Sequence, residues 1–257
     1  MKDTFVSFRR QWRAEKQKSR RRYIWSIPAI FWGFEFLWAL WQLSTASSDD
    51  MRHGYTMLLY NLPMLNVILL PIMCAVIASR LCDMEIKGDT LKLLYTMQKR
   101  TVLYDCKYLL GLKYLALFSL GQGALLPLCG MLYPIREQLD PVQLAQSVVV
   151  VFTVSALVLC VQQFLSMHSR SQILPLVTGL AGSFLGLFSM FFPADISRLI
   201  LWGYYAAFSV IGMNWDAATR YIEYYDIAFP AAKFAVFLCF TVAAYLVTRT
   251  FTAKKEV

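Results

Sequence analysis

Six long apolar runs, separated by short polar stretches, constrain this chain more than any other feature of it. They fall near residues 23–45, 56–81, 109–133, 144–167, 173–192 and 228–250. An α-helix needs about 20 residues to cross a roughly 30 Å hydrocarbon core, and lipid offers no water to unpaired backbone groups, so such runs specify membrane-spanning helices. Five runs read cleanly and a sixth is interrupted but usable. Hydrophobic residues make up 58% of the chain and charged residues 16%, against roughly 45–50% and 25% in a soluble domain. The expected fold is all-α: a polytopic membrane protein with six transmembrane helices.

Lys and Arg, which orient spans during insertion, are unevenly shared between alternate loops. With the N-terminus inside, twenty fall on the inner side and only Arg52, Arg136, Arg198, Arg220 and Lys233 on the outer. Both termini are therefore expected in the cytosol. The expected organisation is a basic cytosolic segment at 1–22, a transmembrane domain at 23–250 and a cytosolic tail at 251–257. Within the domain, a cytosolic loop spans 82–108 and an outer segment spans 193–227. The net charge of +9 reads as a topology signal and an attraction to anionic lipid, with no nucleic-acid partner implied. The first apolar run follows a 22-residue basic segment and lacks a small-residue cleavage pattern, so no secretory signal is expected. Cys74, Cys82, Cys106, Cys129, Cys160 and Cys239 show no CxxC spacing, which points to neither a disulfide framework nor a metal site.

Residues 4–18 place Phe5, Phe8 and Trp12 on one helical face beside Arg9, Arg10 and Arg13. This pattern suits an amphipathic interfacial helix on the inner leaflet, with a disordered basic tail as the other reading. The first span is rich in aromatic rings, including Trp32 and Trp38, and carries Glu35 near its middle. An ionisable group at that depth costs about 2.5–3.5 kcal/mol on insertion and must face protein or water. It is either a substrate contact or switch, or a hydrogen-bonded packing group; Gln122 is the candidate partner. Gly179, Gly182 and Gly186 include a GxxxG spacing, which marks a dimer face or internal packing. The outer segment forms an aromatic belt with Trp202, Tyr205 and Trp215, either a surface for a membrane-bound substrate or an anchor.

The polar segment at 83–107, DMEIKGDTLKLLYTMQKRTVLYDCK, holds a helix start at Gly88, Asp89 and Thr90. Leu91, Leu94 and Tyr95 then share one face at i, i+3 and i+4, with Lys92 and Thr96 on others. The segment is either a solvated turn or a short amphipathic helix that needs a partner's groove. No GxxxxGK[ST] loop and no HExxH motif occurs, and the two histidines, His53 and His168, are expected on opposite sides of the membrane. No catalytic residue, metal site or resident cofactor is therefore expected, and the few membrane charges lack the pattern of an ion-coupled transporter.

In order along the polar segment stand Glu85, Gly88, Thr90, Leu93 with Leu94, Lys99 with Arg100, and Lys107. This series resembles the loop after span two in permease subunits of type-2 ABC exporters, although Asp89 separates Gly88 from Thr90. The resemblance implies that Glu85, Gly88, Thr90, Leu91, Leu94, Tyr95, Lys99 and Arg100 couple the chain to a separate ATPase dimer that binds ATP and Mg. It also implies a second permease, either another copy or a similar paralogous chain. The compact length and aromatic first span look most like the permeases of lantibiotic immunity and bacitracin resistance, which expel antimicrobial peptides from a bacterial cytoplasmic membrane. On that reading Glu35, Trp32, Trp38, Gln122, Trp202, Tyr205 and Trp215 are substrate-contact candidates. The alternatives are an exporter permease for a lipid or small drug, and a non-transporting scaffold or sensor.

Overall fold

The apolar runs fold as helices, and the two that flank the polar segment run further than their apolar length requires. The computed structural model describes residues 2–47, 50–88, 91–97, 99–169, 171–216 and 221–254. In chain order the elements are α1 (Lys2–Arg21), α2 (Ser26–Thr45), α3 (Gly54–Lys87), α4 (Leu91–Met97), α5 (Arg100–Leu132) and α6 (Pro141–His168). They continue with α7 (Ile173–Phe188), the short turns α8 (Ala194–Ser197) and α9 (Tyr204–Ala207), the strands β1 (Ile211–Asp216) and β2 (Tyr221–Asp226), and α10 (Ala231–Lys254). The helices α3, α5, α6, α10 and α7, continued to Phe191, are each long and apolar enough to cross a membrane. Only together with α1, from which it bends by 54°, does α2 qualify as a sixth.

With 34 and 33 residues, α3 and α5 run about 50 Å, well beyond a core of about 30 Å. Residues 82–87 and 100–108, expected as loop, therefore extend the two helices. What remains of the loop is 88–99, with α4 in its middle. The extension is possible because its charged residues find partners across the helices, as described below.

The core lies among α3, α5 and α6, where Val67, Leu70, Met73 and Ile77 meet Leu110, Leu115 and Phe118, and Val154, Leu157 and Leu159. Asp140 caps α6 by accepting from the Val142 amide at 2.8 Å, with Pro141 at the first helical position, a favoured start. On the α3 side, α7 is seated through its glycines. A Cβ on Gly179 would lie 3.0 Å from the Pro71 carbonyl oxygen, and one on Gly186 would lie 2.8 Å from Val67 Cγ1. The chain's own packing thus occupies the GxxxG face. Against α5 and α6 lies α10, most of whose surface is left open.

The outer segment departs from an all-helical expectation. Its β1 and β2 form an antiparallel hairpin in which Ile211 faces Asp226 and Asp216 faces Tyr221. Ile211 and Val210 insert beside Leu59, Leu62 and Leu126, and Gln143 on α6 donates to Asp226 at 2.9 Å. The aromatic residues that read as a belt are also strong strand formers, so one composition serves both arrangements.

At the opposite end of the bundle, α1 folds against α3 and α5, and the C-terminal part of α10 is tied to α5 by Arg249 and Asp105. The helix α1 and the C-terminal part of α10 therefore flank the end that carries α4. All six cysteines are free thiols; five are buried and Cys239, on α10, is exposed.

Candidate functional site

The strongest polar assembly lies where α1, α3 and α5 meet. Lys107 Nζ donates to Glu85 Oε2 at 2.7 Å, to Glu15 Oε2 at 3.0 Å, and to the Leu81 carbonyl. Lys18 Nζ closes the square, 2.9 Å from both Glu15 Oε1 and Glu85 Oε1. Gln11 Nε2 adds a bond to Glu15 at 2.9 Å. Glu15, Glu85 and Lys107 are at most 1% exposed, so two cations and two carboxylates balance in a setting where an unmatched charge would be costly. Burial draws the Lys18 pKa down, but Glu15 and Glu85 more than reverse this and hold it above the ordinary lysine value. Around this square, Asp83 pairs with Lys87 at 3.0 Å and Arg22 at 3.6 Å, and Ser19 bonds to Tyr114.

Two of these residues, Glu85 and Lys107, belong to the pattern read from the polar segment; Glu15 and Lys18 do not. They sit on a helix read as interfacial by its Phe and Trp face. The face that α1 buries is in fact largely polar, with Gln11, Glu15 and Ser19 at i, i+4 and i+8. That spacing was the available signal. A second joint, also missed, links α10 to α5: Arg249 forks onto Asp105 at 2.7 and 2.8 Å, and Tyr245 donates to the same carboxylate at 2.6 Å.

Helix α4 begins at Leu91; Asp89 and Thr90, the expected cap, lie outside the described residues. The chain itself takes up part of the expected stripe. Leu94 and Tyr95 pack against Cys82, Leu103, Tyr104 and Met167, and the Arg100 guanidinium stands 4.8 Å above the Tyr95 ring. Desolvation raises the Tyr95 pKa. Leu93 instead faces outward at 60% exposure, with Thr96, Gly88 and Lys99 also exposed. The outward face is therefore not the Leu94 and Tyr95 face that the stripe suggested.

Midway along the bundle, Gln122 Nε2 donates to Glu35 Oε2 at 2.8 Å and to Asn66 Oδ1 at 3.0 Å. All three residues are buried, and Glu35 Oε1 has no hydrogen-bond partner among the described residues. Asn66, which completes this triad, escaped the sequence reading because its approach to Gln122 depends on how α3 packs against α5. Asn66, Gln122 and Tyr205 line a cavity of about 20 Å³, closed by Leu62, Val150 and Phe208; it has room for about one water. Trp32 stacks on Phe36 at 5.4 Å beside Gly121, and Trp38 is half-buried on α2. Trp202 instead fills the space over Gly182 and Gly186, and Trp215 is 52% exposed on β1. Of the seven candidates, only Glu35 and Gln122 are hydrogen-bonded to each other; Tyr205 lines the same cavity as Gln122 and bonds to Ser155, and the tryptophans lie apart.

These features define a multi-pass membrane protein whose spans are jointed by buried ion pairs at one end and which carries a short separate helix between its two longest spans. Residues 12–186 match the family described as ABC-2 family transporter protein, and the chain belongs to that family. It is a permease of an ABC transporter, a membrane component that works with an ABC ATPase subunit and typically has no catalytic site of its own. The matched span runs from Trp12 to Gly186 and so takes in the whole charge square, α4 and the Glu35 triad. No curated protein matches the chain.

Proposed function

We propose that the chain is the permease of an ATP-driven exporter that removes antimicrobial peptides of the lantibiotic type from the membrane and so confers immunity or resistance. Helix α4 docks in a groove of the ATPase dimer, which holds ATP and Mg. The single observation that carries the docking reading is α4 itself: a short helix with Leu93 exposed, backed by the packed Leu94 and Tyr95. Closure of the ATPases pushes on α4 and hence on the ends of α3 and α5. The square of Glu15, Lys18, Glu85 and Lys107 carries α1 with them, so the movement reaches α2 as a rigid-body shift. A second permease, a copy or a paralogue, completes the complex. The excess of Lys and Arg on the α4 side supports a cytosolic placement of that end in a bacterial plasma membrane. Peptide enters laterally from the outer leaflet, along α2 and the hairpin, where Trp215 and Tyr225 are exposed.

Two measurements test this reading. Leu93→Asp, at an exposed position, abolishes co-purification with the ATPase while the permease still inserts; full recovery of the complex would refute docking through α4. In the reconstituted complex, ATP hydrolysis rises with a lantibiotic-type peptide. A response only to lipid or to small cationic drugs would replace the peptide assignment, and no response to any of them would favour a non-transporting scaffold or sensor.

A further inference from the structure

The turn between α1 and α2 borders a solvent-open surface cleft lined by Gln17, Arg20, Arg21, Tyr23 and Trp25. We infer that this cleft binds the phosphate of an anionic phospholipid, an assignment independent of the peptide assignment.

The last turn of α1 and the residue after it carry four cations, and they divide into two pairs. Lys18 turns inward to Glu15 and Glu85, and Arg22 turns to Asp83. Arg20 and Arg21 are exposed and have no carboxylate partner among the described residues. The inward pair anchors the helix end, which leaves the Arg20 and Arg21 guanidinium groups on the cleft side. A guanidinium presents a planar fork of donors that matches phosphate oxygens, and two adjacent forks suit a phosphodiester.

The backbone of the turn is special. Tyr23 has φ 52°, the only positive value at a non-glycine position among the described residues, in a region that side chains with a Cβ avoid. Ile24, 1% exposed in the core, and the Ser26 amide bonded to the Tyr23 carbonyl at 2.9 Å hold it there. The result sends Tyr23 and Trp25 outward, at 65% and 51% exposure. Such strained positions concentrate at ligand clamps and switch regions, and these two rings are of the kind that settles at the water–lipid boundary.

The cleft also opens in the direction a lipid requires. From Trp25 the exposed residues Ile30, Phe34, Leu37 and Trp41 continue along α2, an apolar stripe on which acyl chains can lie. A free phosphate has no use for that stripe, and it decides between the two sources of the anion.

Native mass spectrometry of the full-length chain in mild detergent tests the site, with phosphatidylglycerol and phosphatidylcholine of equal acyl chains as probes. Phosphatidylglycerol is retained and phosphatidylcholine is not. Arg20→Gln with Arg21→Gln lowers retention about tenfold through loss of the charge-assisted bonds. Arg10→Gln with Arg13→Gln, which removes equal charge from exposed positions of the same helix outside the cleft, leaves it unchanged. Equal losses in both variants would mean diffuse attraction and overturn the site, as would full retention in the first. Displacement of the lipid by inorganic phosphate at millimolar concentration would reassign the cleft to a soluble anion and overturn the lipid assignment.

Discussion

Lys107 has three ammonium protons and three acceptors, in Glu15, Glu85 and the Leu81 carbonyl, so its capacity is filled. Lys107→Met leaves Glu15 and Glu85 sharing Lys18 alone, with one buried negative charge unbalanced, and the expected loss is about 3–5 kcal/mol, read as a lower unfolding temperature in detergent. A loss below about 1 kcal/mol would place the square in water, where exposed ion pairs contribute that little. Lys107→Arg does not rescue it, because a planar fork cannot reproduce a three-point contact. The raised pKa of Lys18 fixes the sign of its pH effect. Its stabilisation is complete below the ordinary lysine value and is lost only as pH rises through the higher folded value. Hydrogen exchange of α1 should therefore show no Lys18-dependent change between about pH 6 and 9. Glu35→Gln keeps a hydrogen-bonding partner for Gln122 but removes the acid. Transport falling while assembly is intact would make the triad functional, whereas no change in either would leave it a packing device. Glu85 and Lys107 were legible as a pair of family positions. Glu15 was not, because one carboxylate in a basic helix reads as solvated until the helix is seen to fold back.

Among the elements, α7 is the one whose glycines pack against backbone of other segments. A side chain at Gly186 meets Val67 at 2.8 Å and the Trp202 backbone at 3.0 Å, whereas Gly33 has nothing within 4 Å. Gly186→Leu should cost about 1–3 kcal/mol or more, since backbone cannot move aside as a flexible side chain can. Gly33→Ala should be neutral or slightly stabilising, as expected for glycine replacement inside a helix. Thermal unfolding of the two variants side by side checks both. Helix α4 was legible as a helix because the i, i+3, i+4 stripe is a local property. Its outward face was not, because burial of Leu94 and Tyr95 depends on α3 and α5 extending past the membrane, which rests on pairings between residues distant in sequence. The hairpin was hidden for a related reason: aromatic residues satisfy a membrane boundary and a strand equally well.

At the scale of the whole molecule, the alternation of apolar runs foretold the bundle, and what it omitted were the joints. Deleting residues 1–21 removes Glu15 and Lys18 from the square but leaves Glu85 on Lys107. The expected outcome is a complex that still hydrolyses ATP and no longer accelerates with substrate; retention of that acceleration would remove α1 from the coupling path. The open face of α10 raises a different question, namely what covers it in the cell. Because the other five thiols are sealed in the interior and Cys239 alone is exposed, the wild-type chain carries its own reporter on that face. A short membrane-permeant bismaleimide would join two chains through it if α10 meets α10 of another copy. A fluorescent maleimide with a blue-shifted emission and no cross-link would instead show that lipid is its neighbour.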